Sequence, residues 1–129
     1  MRFYIASEFA NQEMVRRLTL HLTEAGWIHT YDWTQNKKAT DSKRLKEIGV
    51  LEKAAVKEAD VFILLLPGGK GSHTELGMAL AWGKSIVVCH DNDELATTFY
   101  HLPEVNIVQG DIGMLGDYLL NNIHIYNSR

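Results

Sequence analysis

Val61-Phe62-Ile63-Leu64-Leu65-Leu66 is apolar at every position and ends at Pro67-Gly68-Gly69. With no alternation of apolar and polar residues, neither face of this run is marked for water, so it suits a strand covered on both sides. Strands of that kind lie at the centre of parallel sheets. Parallel neighbours are joined by crossover connections, which lay helices over both faces.

The flanking segments repeat this logic. Arg2-Phe3-Tyr4-Ile5-Ala6 is rich in strand formers and predicts a buried first strand. Met14, Val15, Leu18, Leu22 and Ala25 recur at helical spacing until Gly26 ends the pattern. Trp27–Tyr31 reads as a second strand, followed by a hydrophilic loop from Asp32 to Asp41. Thr40, Asp41 or Ser42 can cap the next helix, in which Ile48, Leu51, Ala55 and Ala59 trace one face up to Asp60. Beyond the central run, the pattern predicts a helix over His73–Trp82 closed by Gly83 and a fourth strand over Ser85–Cys89. A short helix over Asp91–Tyr100, a weak strand at Val105–Gln109 and a last helix over Ile112–Ile123 complete the chain.

Strands and helices alternating over short connections define the α/β class, in a three-layer arrangement. Five strands of this size fit the flavodoxin-like, Rossmann-like order 2-1-3-4-5 better than a six-stranded dinucleotide fold. The 129 residues form one domain, 1–129, with no repeats and no low-complexity segment. In such a sheet a ligand binds at the carboxyl ends of the strands, where the strand order reverses. The segments at that crevice are Ser7–Glu8, Asp32–Trp33 and Pro67–Glu75.

Charge and composition narrow the function classes. A net charge of −3 gives no electrostatic footprint for nucleic acid. The basic residues Lys37, Lys38, Lys43, Arg44 and Lys46 read as a solvated face. No apolar stretch approaches the roughly 20 residues that span a bilayer. The single Cys89 falls in an apolar strand, and with no leader-like N-terminus the expected setting is cytoplasmic. The six histidines show no metal-ligand spacing, so neither a metal nor a cofactor is expected.

Gly68, Gly69 and Gly71 lie between a strand and a helix, where glycine lets backbone approach a ligand and a helix N-terminus offers free N–H groups to an anion. The spacing matches neither a phosphate-binding Gly-Lys-Ser/Thr loop nor Gly-x-Gly-x-x-Gly. Ser72-x-x-Glu75 has two readings. It is either a capping box, with the carboxylate turned back on the helix end, or it sends Glu75 into the crevice as a carboxylate nucleophile or base. Asp60 reads as a cap on the turn into the third strand.

Three segments carry a resemblance. Phe3-Tyr4-Ile5-Ala6-Ser7, Glu52-(x7)-Asp60-Val61 and Gly71-x3-Glu75-Leu76-Gly77-x-Ala79-x-Ala81-x-Gly83-Lys84 resemble the nucleoside 2-deoxyribosyltransferase superfamily, which includes nucleoside 5′-monophosphate N-glycosidases. The similarity covers roughly the first 90 residues, and its glutamate-containing segment is the most specific part. The resemblance implies cleavage of the bond between a nucleobase and C1′ of a sugar. Glu75 then matches the nucleophile, Tyr4 the tyrosine that orients it, and Glu52 the acid that protonates the leaving base. Deoxyribosyltransferases commonly carry an aspartate six residues before the nucleophile, where this chain has Gly69. That difference disfavours sugar transfer. Gly68, Gly69, Lys70, Gly71 and Ser72, with Ser7 across the crevice, instead suit a 5′-phosphate. His29, Tyr31, Asp32 and Trp33 are placed to line a base pocket.

The reading that follows is hydrolysis of a (deoxy)nucleoside 5′-monophosphate through a glutamate nucleophile, on a small-molecule nucleoside or nucleotide substrate. The alternatives are a deoxyribosyltransferase, an NAD glycohydrolase and a non-catalytic nucleotide-binding or sensor domain. A homo-oligomer is expected from the apolar Met78 and Trp82 on the helix after the glycine loop.

Overall fold

The computed structural model describes residues 1–123; His124 lies outside the described residues. Five strands form one parallel sheet: β1 (Arg2–Ala6), β2 (Ile28–His29), β3 (Val61–Leu65), β4 (Ser85–His90) and β5 (Val105–Gln109). Their order is β2-β1-β3-β4-β5, as the alternation predicts. Every residue of β3 is buried, as its unbroken apolar run requires. Tyr4 stands opposite Phe62, Ile63 opposite Val87, and Val88 opposite Ile107, so the apolar rows continue across the sheet.

Four α-helices cover the sheet: α1 (Gln12–Glu24), α2 (Ser42–Glu58), α3 (Lys70–Ala81) and α4 (Ile112–Asn122). α1 packs on α4, and α2 on α3. α1 buries Val15, Leu18 and Leu22, while Met14 and Ala25 stay exposed. Its end uses Gly26 at φ 95°, a left-handed conformation that favours glycine, and the Trp27 N–H closes back on the Leu22 carbonyl at 3.1 Å. Gly83 at φ 66° ends α3 in the same way, with Lys84 N–H on the Ala79 carbonyl at 3.0 Å.

Several sequence expectations are corrected. β2 shrinks to Ile28–His29, because at the sheet edge only two residues pair with β1. The helix expected over Asp91–Tyr100 does not form. Its place is taken by an irregular segment and one turn of 3₁₀ helix, Thr98–His101, pinned by the His101 ring to the Leu95 carbonyl at 2.7 Å. The stretch lacks a helical apolar stripe, and adjacent Thr97 and Thr98 are poor helix formers. In α2, Ala55 and Ala59 are buried, Ile48 is half-buried and Leu51 is 46% exposed. Asp41 is the residue that caps α2, accepting the Arg44 N–H at 2.9 Å. Asp60 accepts the Arg2 N–H at 2.8 Å, a structural tie between the α2–β3 turn and the start of β1.

Candidate active site

The carboxyl ends of β1 and β3 open onto a cleft of about 320 Å³. The segment after β1 contributes Ser7, Glu8 and Phe9, and α2 contributes Glu52. The start of α3 contributes Gly69, Lys70, Gly71, Ser72 and Glu75, and Trp33 closes the remaining side.

The α3 N-terminus differs from the sequence reading. The helix starts at Lys70 rather than His73, with Gly69 as the cap position. Ser72 Oγ accepts the Gly69 N–H at 2.6 Å and donates to the Gly69 carbonyl at 2.9 Å, so the hydroxyl serves the loop and not Glu75. Of the two readings of Ser72-x-x-Glu75, the capping box is therefore absent. The first helical backbone bond runs from His73 N–H to the Gly69 carbonyl at 3.1 Å. The N–H groups of Lys70, Gly71 and Ser72 precede it and are left without intrahelical partners at the cleft. A Cβ on Gly68 would stand 2.8 Å from Ser72 Oγ and 2.9 Å from a His73 ring carbon, which is why the loop needs glycine there.

One turn further on, the Glu75 carboxylate meets Tyr4. The Tyr4 hydroxyl, on a wholly buried ring, donates to Glu75 Oε2 at 2.7 Å, and Glu52 Oε2 lies 3.5 Å from the same hydroxyl. Glu75 is 9% exposed. Its burial, and next the charge of Glu52, push its pKa up to about 8, against the opposing hydrogen bond from Tyr4. Burial also raises Glu52, again opposed by Tyr4. Burial and the two carboxylates hold the Tyr4 phenol well above its ordinary range. One phenolic proton thus sits between two carboxyl groups that resist carrying charge together.

The remaining expected site residues divide. Trp33 is buried, its indole N–H donating to the Ile5 carbonyl at 2.7 Å, and its ring forms a cleft wall 6.3 Å from Phe9. Ser7 lines the cleft, donating to the Pro67 carbonyl at 3.1 Å while accepting from Asn11 at 2.9 Å. Asp32 does not line it: its carboxylate is spent on Thr34 and Gln35. Burial acts to raise the Asp32 pKa, but these hydrogen bonds prevail and lower it. His29 stacks on Phe3 with centroids 4.6 Å apart, and burial lowers its pKa. Tyr31 accepts from Asn36 at 2.8 Å. Neither of these two lines the cleft. Phe9 was not singled out from the sequence. Its only signal is a large apolar ring in the polar stretch between β1 and α1. Among the described residues no His, Cys, Asp or Glu group could hold a metal ion. No helix there is long and apolar enough to cross a membrane.

The sequence matches no protein-family model and no curated protein. Solved structures do resemble it. The Clostridium botulinum CMP N-glycosidase BcmB superposes with a TM-score of 0.69 at 22% identity, over 92% of this chain and 98% of that one. A protein of Enterococcus faecalis superposes at 0.64 and 16% identity, over 95% of this chain and 99% of that one. A de novo designed Rossmann-fold protein superposes at 0.56 and 16% identity, over 99% of this chain and 98% of that one. At these identities the shared property is the fold, a Rossmann-like domain with its sheet fully parallel.

Proposed function

We propose that this chain hydrolyses the N-glycosidic bond of a (deoxy)nucleoside 5′-monophosphate. The carrying observation is the hydrogen-bonded set Glu75–Tyr4–Glu52 at a cleft that also exposes the free N–H groups of α3. Fold likeness to a CMP N-glycosidase and the sequence resemblance point the same way.

Breaking the bond from base to C1′ builds positive charge on the sugar, and a carboxylate beneath C1′ stabilises it. In the first step a Glu75 oxygen bonds to C1′ as the C1′–N bond breaks, and a proton from Glu52 passes to the departing base. In the second, water attacks C1′, gives its proton to Glu52, and releases Glu75 and the sugar phosphate. The productive arrangement has the pair's proton on Glu52: Glu52 then donates to the Tyr4 oxygen, and Tyr4 to ionised Glu75. The N–H groups of Lys70, Gly71 and Ser72, with the Lys70 ammonium, hold the 5′-phosphate. Phe9 and Trp33 flank the base. The protein works in the cytoplasm, as a homo-oligomer, without metal or cofactor.

The test is release of free base from a panel of ribo- and deoxyribonucleotides. Wild type should release base from at least one of them and Glu75→Gln from none. A silent wild type across the panel, or an active Glu75→Gln, rejects the reading. Nucleotide binding without turnover would leave the sensor-domain alternative standing.

A further inference from the structure

A second cleft, of about 390 Å³, opens on the opposite face of the sheet between α1 and α4. It too lies at the carboxyl ends of strands, here β3, β4 and β5, to one side of the point where the strand order reverses. Its size falls within the range of small-molecule sites, and the active-site chemistry uses none of it.

The walls are apolar: Leu66 and Pro67 from the end of β3, Met14 from α1, Ile112 and Leu115 from α4. The polar groups gather at one side. His90, the last residue of β4, lines the cleft at 8% exposure, and its Nδ1 has no hydrogen-bond partner among the described residues. That nitrogen is closed to solvent as the ring stands, so a ligand group recovers the cost of leaving it unpaired by turning the ring toward the cleft. Asp91 and Asp93 follow on the same loop and line the cleft. Among the described residues neither carboxylate accepts a hydrogen bond or joins an ion pair. Asp111, also at the cleft, is occupied in capping α4 through the Met114 N–H at 2.9 Å. Arg17 is the one cationic side chain of the lining, set against Met14 Sδ at 3.5 Å.

We propose that this cleft is a second binding site, for a phosphate-free heteroaromatic ring of nucleobase size that carries N–H donors. The apolar walls accept the ring faces. The free carboxylates of Asp91 and Asp93 accept ring-edge N–H groups, and His90 meets a ring nitrogen or a further N–H. Three aspartates against one arginine repel a phosphate, the reverse of the active cleft, where free N–H groups and Lys70 attract one. The two clefts share a thin partition. Asn11, which lines the second, donates to Ser7, which lines the first, and Ser7 donates to the Pro67 carbonyl between them.

The proposal stands apart from the catalytic reading, and its test needs no turnover. Adenine and cytosine are titrated separately into ¹⁵N-labelled protein up to about 5 mM, the weak end of specific affinity. At least one should give saturable amide shifts at Asp91, Asn92, Gly110 and Ile112. The double variant Asp91→Ala/Asp93→Ala, altered only in loop carboxylates that accept no hydrogen bond among the described residues, should weaken that binding at least tenfold. Inorganic phosphate should move none of these amides. The proposal is overturned by no saturable shift with either base, or by shifts confined to Trp33 and Gly69–Glu75. It is equally overturned by undiminished binding in the double variant, or by phosphate shifting the same amides.

Discussion

The hydroxyl of Tyr4 and the carboxylate of Glu75 meet at 2.7 Å although 71 positions separate them in the chain. β1 carries the phenol up through the sheet and the second turn of α3 drops the carboxylate onto it. The glycine loop makes this possible by starting α3 at Lys70, which turns Glu75 inward. Both groups are ordinary core and helix residues until the parallel sheet brings them together.

Tyr4→Phe should therefore leave the fold intact and raise Glu75 further above its present value of about 8, since the lost hydrogen bond is the influence that lowers it. Carboxyl ¹³C titration of Glu75 measures this directly. If base release is the activity, its rate should fall about 10²-fold, with the ascending limb of its pH profile moved to higher pH. An unchanged Glu75 titration removes Tyr4 from any orienting role.

The same shift fixes the pH dependence of stability. A carboxyl with a raised folded pKa binds its proton more tightly in the native state. Its contribution is fully present below the ordinary 4.5 and is lost as pH rises through about 8. Wild type should lose stability across that window by an amount of the order of a few kcal/mol. Glu75→Gln, neutral throughout, should show a flatter profile and exceed wild type in Tm at pH 9. Parallel profiles for the two proteins contradict a buried, proton-holding Glu75.

Gly69 is the position where transferases of the resembling superfamily carry an aspartate, and the structure has room for one. A Cβ there meets only Glu8 Cβ, at 3.9 Å, and the backbone is extended at φ −120°, ψ −167°. Gly69→Asp should keep stability within about 0.5 kcal/mol, because aspartate is a good cap. The added charge beside the Lys70–Ser72 N–H groups should raise KM for a nucleoside 5′-monophosphate about tenfold or more, and leave the unphosphorylated nucleoside little affected. Equal effects on both substrates refute a phosphate at this loop.

Gly68 behaves oppositely. Gly68→Ala forces Ser72 Oγ or the His73 ring to move, and both are tied to the Gly69 carbonyl. A loss of about 1–3 kcal/mol in denaturant unfolding is expected. A neutral substitution shows that the loop gives way more easily than its hydrogen bonds indicate.

What the sequence made legible follows from how local each feature is. The run Val61–Leu66 and the strand–helix alternation gave class, strand order and the position of the crevice. The two helix ends at Gly26 and Gly83 were legible because glycine there answers a left-handed backbone. The start of α3 was not: glycines at 68, 69 and 71 read as loop, yet Gly71 enters the first turn because Ser72 caps backward onto Gly69. The Tyr4–Glu75 contact was suggested only by resemblance, since no local pattern joins residues so far apart. Asp32 was misplaced because a carboxylate after a strand serves a local turn as readily as a ligand.

α2 shows a further limit, and the last prediction. Its 17 residues extend about 25 Å, while five-residue strands such as β1 and β3 rise only about 16 Å. The C-terminal half packs down through Ala55, Val56 and Ala59. The stretch leading to Glu52 leaves Leu45 51%, Val50 62% and Leu51 46% exposed, the last of them adjoining Glu52. Periodicity marked Leu51 as apolar-facing without revealing that no element among the described residues covers it. If a second copy does, Leu51→Lys should break the assembly, shifting the mass by light scattering toward 14.6 kDa without lowering the monomer's helix content. It should also reduce activity, since the interface adjoins the Glu52 side of the cleft. A wild-type protein that is monomeric at micromolar concentration, or a Leu51→Lys variant of unchanged mass, places the subunit contact elsewhere or removes it.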